Sequence, residues 1–420
     1  MIARLLPAVA VTALIAALVA SGCAPPPRPT TGGATAVSTS SAPTGPGNAG
    51  RAAPAAKAVE EGTYGDKDGI PVGAYFGLTG ADASFGQESV KAMAMALDEI
   101  KASGGPSIKL IVHDDRCTAA DVPAVLNKLI NEDKVVAVVG EVASTRSLQG
   151  APFCQLAKVP MISPSSTNPA VTEKGDYIFR TCFIDPYQGY VMAKFAVDRF
   201  QARTAAILYP QANDYSVGLA KFFKEAFEKA GGQIAAEEAY GKDQKDFSAE
   251  LDHVASTNPD VLFVPCYYQD AGTIAKQARE RGLDMPILGG DGWDSDTVYE
   301  VGGDATNNCF FSNHYAKDDK SQVVQDFVKR FTDRWGTAPT AMAATAYDAM
   351  RILAEAMALA PDPADRAALR DAIAKTKDFK GVTGTITINA QRNAVKDAVV
   401  LELKEGVQTY VTTIPAPDKQ

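Results

Sequence analysis

The stretch from Val135 to Asn168, VVAVVGEVASTRSLQGAPFCQLAKVPMISPSSTN, limits the possible folds more than any other part of the chain. It reads as a buried strand over 135–139, a loop opened by Gly140 and running to Thr145, a helix, a second short strand over 159–162, and a polar loop over 163–168. Strand, loop, helix, strand is the βαβ unit of a parallel sheet, so both loops should leave the sheet at the same carboxyl edge.

Both loops are rich in small hydroxyl residues: Ser144 and Thr145 in the first, Ser163, Ser165, Ser166 and Thr167 in the second. Two readings stand for each of them. Ser144 or Thr145 can cap the helix that follows, and serines are common turn formers. Alternatively, two hydroxyl-rich loops beside a helix terminus, with its unpaired N–H groups and positive dipole end, suit a small carboxylate.

The βα alternation extends in both directions. A strand within IPVGAYFGLTG (70–80) that ends in a Gly-flanked turn, a strand over 108–112 and helices over 87–101 and 122–130 precede the central unit. After an apolar strand over 177–181 the pattern restarts: helix 187–200, strand 204–209, helix 215–230, strand 233–239, helix 247–256, strand 261–265, helix 269–281, then short strands near 287–288 and 308–313. Two such runs imply two doubly wound α/β lobes. Three consecutive helices over 323–335, 340–358 and 365–376 fit neither alternation and are expected to return to the first lobe. Alternating residues over 384–413 predict antiparallel strands. At 420 residues and 46% hydrophobic, the chain has material for two cores.

The amino terminus has one Arg, an apolar run over 5–19, then Ala20-Ser21-Gly22-Cys23. The run falls short of the about 20 apolar residues a membrane span needs, so residues 1–22 read as a secretory signal peptide and the chain as exported. From Ala24 to about Asp68 the sequence is rich in Pro, Gly, Ser, Thr and Ala, which predicts a disordered tether. Formal net charge is −9 with no basic block, which argues against nucleic acid as a partner.

Setting Cys23 aside, Cys117, Cys154, Cys182, Cys266 and Cys309 form an odd set, so at most two disulfides can form. Their spacing matches no metal site, and with only His113, His253 and His314 as histidines a zinc site is not expected. Asp114 and Asp115 close the second strand; a solvated strand end and helix start is the reading favoured over acid catalysis or a metal. No G-x-S-x-G elbow is present and no histidine falls in the candidate loops, so a hydrolase lacks an evident base.

Several motifs in order, DDRC (114–117), VVGEVAS (138–144), PMISPSSTNP (160–169), FRT (179–181), LYPQANDYSVGLA (208–220), NPDV (258–261), KQARERGL (276–283), LGGDGWDS (288–295) and TAYDA (345–349), resemble the substrate-binding proteins of the Leu/Ile/Val-binding class. The likeness runs from about Ile70 to the carboxyl terminus. It implies a type I periplasmic binding protein fold, two lobes joined by a three-strand hinge, with lobe 1 over 69–186 and 315–392 and lobe 2 over 187–314 and 393–420. It also implies a free amino acid held in the cleft, delivery to the membrane permease subunits of an ABC importer, no cofactor, no catalysis and a monomer. The Ala-Ser-Gly-Cys end resembles a lipobox, implying that Cys23 is lipidated and that residues 23–68 tether the domain to the outer face of the membrane.

By this resemblance Ser144, Ser165, Thr167, Tyr215, Tyr267 and Asp291 bind the ligand's polar ends, with Asp291 meeting the ammonium. Phe85, Val142, Ala143 and Ser166 line the apolar pocket, with Trp293 as a further wall. Where some relatives have a Cys paired with that of the DD-x-C motif, this chain has Ala143, so Cys117 has no such partner. A polar Ser166 and a small Ala143 argue against a strict branched-chain preference. The physical logic agrees: a zwitterion leaving water needs an opposite charge or several hydrogen bonds at each end, and Tyr215 and Tyr267 offer both a ring and a hydroxyl. On their own merits Asp291 is also a good turn acid, Tyr215 a good packing residue, and Tyr268 an alternative to Tyr267. Urea, short amides or an aromatic acid in the same clamp, and a sensory receptor, are the alternatives.

Overall fold

The alternation of the sequence becomes two sheets in the computed structural model, which describes residues 58–416. The first sheet contains β1 (Gly62–Gly65), β2 (Ile70–Phe76), β3 (Ile108–Asp114), β4 (Ala137–Val139), β5 (Met161–Ser163) and β6 (Ile178–Arg180), in spatial order β1-β3-β2-β4-β5-β6. Strands β2 to β6 are parallel and β1 is antiparallel to β3. Helices α1 (Ala83–Ala102), α2 (Val122–Asn127) and α3 (Ser144–Leu156) connect them. In the central unit, Val138 of β4 sits beside Met161 of β5, so the two hydroxyl-rich loops do leave one edge.

The second sheet repeats the plan. Strands β7 (Thr204–Pro210), β8 (Gln233–Tyr240), β9 (Val261–Phe263), β10 (Ile287–Gly289) and β11 (Cys309–Asn313) lie parallel in the order β8-β7-β9-β10-β11. Helices α4 (Asp185–Phe200), α5 (Asp214–Lys229), α6 (Ser248–Thr257), α7 (Tyr268–Glu280) and α8 (Thr297–Gly302) accompany them. Phe223 of α5 stacks on Phe263 of β9 with centroids 4.0 Å apart, and truncating such a buried ring costs about 3–5 kcal/mol.

Helices α9 (Gln322–Trp335), α10 (Ala341–Leu359) and α11 (Arg366–Ile373) then return to the first lobe, where Ser89 of α1 donates to the Met342 carbonyl at 3.4 Å. A small ribbon of β12 (Phe379–Gly381), β13 (Gly384–Ile388) and β14 (Ala394–Val395) follows. Strands β15 (Ala398–Lys404) and β16 (Val407–Ile414) then extend the second sheet, β15 antiparallel to β11 and β16 antiparallel to β15. The chain thus passes between the sheets three times: after β6, after β11 and between β14 and β15.

In both sheets the first strand of the run lies between the second and the third, so the direction of winding reverses there. Ligands of open α/β sheets bind outside the carboxyl ends of the strands at such a reversal. No helix of the described residues is long and apolar enough to cross a membrane.

The structure corrects two expectations here. The tether assigned to 23–68 is too long: residues 62–65 form β1, with Gly62 opposite Val112 and Gly65 opposite Lys109. Val59 is buried, and its N–H donates to Gln87 Oε1 at 2.7 Å. Pairing with an open sheet edge orders a segment too polar to order itself. Residues 1–57, including the signal segment and Cys23, lie outside the described residues. The second correction concerns Asp115, expected at a solvated strand end; it is fully buried, 3.5 Å from Arg146 Nε. Cys117, Cys154, Cys182, Cys266 and Cys309 are all free thiols.

Candidate binding site

Loops at the carboxyl ends of both sheets meet around one cavity. Phe85, Val142, Ser144, Ser165 and Met342 line it from the first lobe, and Tyr215, Tyr267, Asp291 and Gly292 from the second. The lobes are drawn together over it: Asn168 Nδ2 donates to the Asp214 carbonyl at 2.9 Å, Asp214 N–H to Thr145 Oγ1 at 3.1 Å, and Ala341 N–H to Asp294 Oδ2 at 2.5 Å. So closed, the cavity holds only ≈10 Å³, about the threshold for one water. A larger guest requires the rings or the lobes to draw back. An adjoining cleft of ≈550 Å³ shares Tyr267 with it and is bordered by Ala143, Thr145, Arg146 and Asp82.

On the first-lobe side the helix terminus is open. Helix α3 begins at Ser144 after Ala143 in extended conformation, with no side-chain cap. Its first amides have no intrahelical partner and carry the positive end of the dipole. Ser144 and Thr145 do not cap the helix: Ser144 Oγ accepts from Asn168 N–H at 3.2 Å, and Thr145 spans the cleft to Asp214. Ser165 Oγ is 2.7 Å from Thr345 Oγ1 of α10, which ties the second loop to the returning helix.

On the second-lobe side the acid and the rings are fixed by glycines and a cap. Asn213 Oδ1 accepts from Tyr215 N–H at 3.0 Å and so starts α5 with Tyr215 facing β10. The Tyr215 hydroxyl accepts from Gly292 N–H at 3.2 Å, and a Cβ on Gly290 would lie 2.3 Å from that hydroxyl. At Gly292 a Cβ would come within 2.9 Å of Tyr267, so only glycine permits the stack of Tyr215 on Tyr267, with centroids 5.5 Å apart and planes at 17°. Phe85 meets Tyr267 edge-on at 5.5 Å. Burial, then the charge of Asp291, pushes the Tyr215 phenol up, so it stays protonated.

Asp291 is buried, and each oxygen has one partner: Gln188 Nε2 at 2.7 Å to Oδ1, and His314 Nε2 at 3.0 Å to Oδ2. Burial pushes the His314 imidazole down despite its bond to Asp291, leaving the ring neutral. Nearby Asp185 is fully buried with neither oxygen hydrogen-bonded, and burial raises its carboxyl to about 8. Thr167 Oγ1, Gln188 Oε1, Ser216 Oγ and His314 Nδ1 are also buried without partners. Satisfied cores rarely leave such groups unpaired.

Behind the first-lobe loop lies a second charge cluster. Arg146 bonds Asp82 at 2.6 and 3.2 Å and Glu141 at 3.0 Å, with Asp115 next to it. Burial opposes its charge, but Glu141, Asp82 and Asp115 together outweigh burial and hold the guanidinium above its usual range. Burial and then Glu141 raise Asp115 to about 8. Glu141 Oε1 also accepts from Gly77 N–H at 3.2 Å, and its Oε2 takes the Ala143 amide, so the cluster sets the shape of the loop before α3.

Of the residues singled out in the sequence, Phe85, Val142, Ser144, Ser165, Tyr215, Tyr267 and Asp291 line the cavity. Four do not. Ser166 points into the first lobe, with its hydroxyl 2.9 Å from the Val142 carbonyl and 2.7 Å from Ser147 Oγ, so its polarity says nothing about the pocket. Trp293 lies beneath the turn, packed on Gly289 and donating to the Val264 carbonyl at 3.0 Å. Ala143 faces the larger cleft, and Thr167 is buried beside Asp185. Sequence reasoning missed Met342, Gly292, Gln188, His314 and Asp185. Gly292 sat within the GGDG motif as a visible signal; Met342 and His314 come from remote segments and gave none. Among the described residues, no group of His, Cys, Asp or Glu is placed to hold a metal.

Comparison with known proteins agrees with this architecture. A family profile described as periplasmic binding protein matches residues 69–408. An amino acid binding protein of Pseudomonas aeruginosa is 32% identical over 229 residues, 54% of this chain and 61% of its own length. The aligned stretch therefore spans somewhat less than two thirds of that relative. The crystal structure of the leucine binding protein LivK of Thermotoga maritima superposes with a TM-score of 0.80 at 34% identity, covering 84% of this chain and all of that one. A solute binding protein of an ABC transporter from Rhodopseudomonas palustris BisB5, solved with 3,4-dihydroxybenzoic acid, gives 0.75 at 26% identity, covering 84% and 99%. These are binding proteins rather than enzymes. The fold is that of type I periplasmic binding proteins, and the chain belongs to the periplasmic binding protein family.

Proposed function

We propose that this chain is the extracytoplasmic receptor of an ABC importer and that it holds a free, mostly apolar L-amino acid between its lobes. The carboxylate is received by the open amides of α3 with Ser144 and the Ser165 loop; Asp291 receives the ammonium. Phe85, Val142, Met342, Tyr215 and Tyr267 surround the side chain. One observation carries the reading: an uncapped helix terminus in one lobe faces a buried acid in the other, across a cavity walled by rings. Each end of a zwitterion then finds the opposite charge on leaving water.

Lobe 1 is taken as residues 69–186 and 315–392 and lobe 2 as 187–314 and 393–420. The protein works as a monomer, tethered through a lipid on Cys23 after removal of residues 1–22, and passes its ligand to permease subunits. Labelled palmitate should enter the wild type and not Cys23→Ala; label persisting in the variant would place the anchor elsewhere.

The test of the ligand is a thermal-shift screen of the twenty L-amino acids, short amides and hydroxybenzoates. A ligand at 100 times its Kd raises stability by about 2.7 kcal/mol. An aromatic acid is the second reading, favoured by the stacked Tyr215 and Tyr267 and by the dihydroxybenzoate-bound relative. It lacks an ammonium, so it offers Asp291 no opposite charge, and a shift with hydroxybenzoates alone would select it.

A further inference from the structure

The two groups that hold Asp291 are both uncharged, and both belong to segments where the chain leaves one sheet for the other. Gln188 stands in the first turn of α4, just after the first crossing, and His314 directly follows β11, at the second. Each donates to a different oxygen of the acid, at 2.7 and 3.0 Å, which fixes the plane of the carboxylate. An ionised carboxylate has two acceptor sites per oxygen, so one on each oxygen remains for a guest. A Lys or Arg in either place would cancel the acid's charge. A neutral imidazole and an amide orient it and leave that charge unspent.

His314 is held in turn. Its ring lies 4.0 Å from Phe183, centroid to centroid, and its backbone N–H donates to Asn313 Oδ1 at 2.8 Å. Asn313 Nδ2 bonds Asp294 Oδ2 at 3.0 Å, and the same oxygen takes Ala341 N–H at the start of α10, beside the cavity residue Met342. The ring is therefore packed on Phe183, and the backbone that carries it is held by contacts that include one bridge between the lobes. Since Asp291 only accepts, Nε2 carries the ring's proton, and Nδ1 has no partner among the described residues.

We propose that His314 is a positioning residue: it aims the Asp291 carboxylate at the ligand's ammonium and thereby sets the preference for α-amino acids over analogues that lack the amino group. This rests on the amino-acid reading above. The probes are the L-amino acid that binds the wild type most tightly and its 2-hydroxy analogue, and the readout is the ratio of their affinities. His314→Leu should lower that ratio at least tenfold, mainly by weakening the amino acid, and His314→Gln, which restores a donor, should recover most of it. Gln188→Leu, which removes the other donor, should lower the ratio in the same direction and serves if His314→Leu does not fold. A ratio within twofold of wild type in a folded His314→Leu, or in Gln188→Leu where that variant stands in, would overturn the proposal while leaving the amino-acid reading intact. A wild type that binds no amino acid would overturn both.

Discussion

Replacing Asp291 with Ala or Asn removes the charge assigned to the ammonium, and the structure allows the loss to be sized. The acid is 2% exposed, and its two present partners are neutral, so its charge is not already compensated by them. An ammonium about 3 Å away at an effective dielectric near 20 gains roughly 5 kcal/mol from the acid, and removing one member of a buried pair typically costs about 3–5 kcal/mol. Affinity should therefore fall roughly 10²- to 10⁴-fold. Ala also strands the Gln188 and His314 donors, at about 1–3 kcal/mol of folded stability each. Asn keeps both contacts, its oxygen with Gln188 and its amide with His314 once the ring proton moves to Nδ1, and so leaves one buried N–H without an acceptor where Ala leaves two. Titration calorimetry of wild type, Asp291→Asn and Asp291→Ala with the tightest amino acid measures the loss, with denaturant melts checking the fold. Affinity within threefold of wild type in a folded Asp291→Asn would remove the acid from the site.

Three further outcomes follow from the geometry. Asp185 is protonated in the fold up to about pH 8 but ionises near pH 4 when unfolded, so its contribution to stability is full below pH 4 and is lost as pH rises toward 8, by about 1.4 kcal/mol per unit at most. Asp185→Asn has no such term, and urea melts at pH 5, 6.5 and 8 should show the variant gaining on wild type at each step; a constant difference would mean the acid is solvated or already charged. Because the ligand is gripped from both lobes, it should bind the closed form preferentially, and scattering should give a smaller radius of gyration with saturating amino acid than without; superimposable curves would contradict closure. Asp294, which accepts from Ala341, Asn313 and Gln408, links the two lobes, so Asp294→Ala should lower stability by about 2–4 kcal/mol in melts, and a change under 0.5 would deny it that role.

The parallel core was legible because β4 and β5 are buried on both faces and so read as unbroken apolar runs flanked by polar loops. Strand β1 was not, since GTYG has no apolar run and owes its order to the edge of β3. Within the site, Ser144 and Asp291 were readable from their places after strands, but Ser166 and Trp293 were misjudged because neighbours on a turn face opposite ways. His314 carries no local sign of its role, for its partner stands 23 residues away on another strand end. Met342 reaches the cavity only because α10 returns to the first lobe after the whole second sheet has been laid down.

The arrangement of the ligand itself is the most direct test. A crystal structure with the tightest-binding amino acid should place its nitrogen about 3 Å from an Asp291 oxygen and its carboxylate on the first amides of α3 and Ser144, with the rings drawn back from their present closed positions. A guest lying in the reverse sense, or seated outside the space between Ser144 and Asp291, would contradict the account.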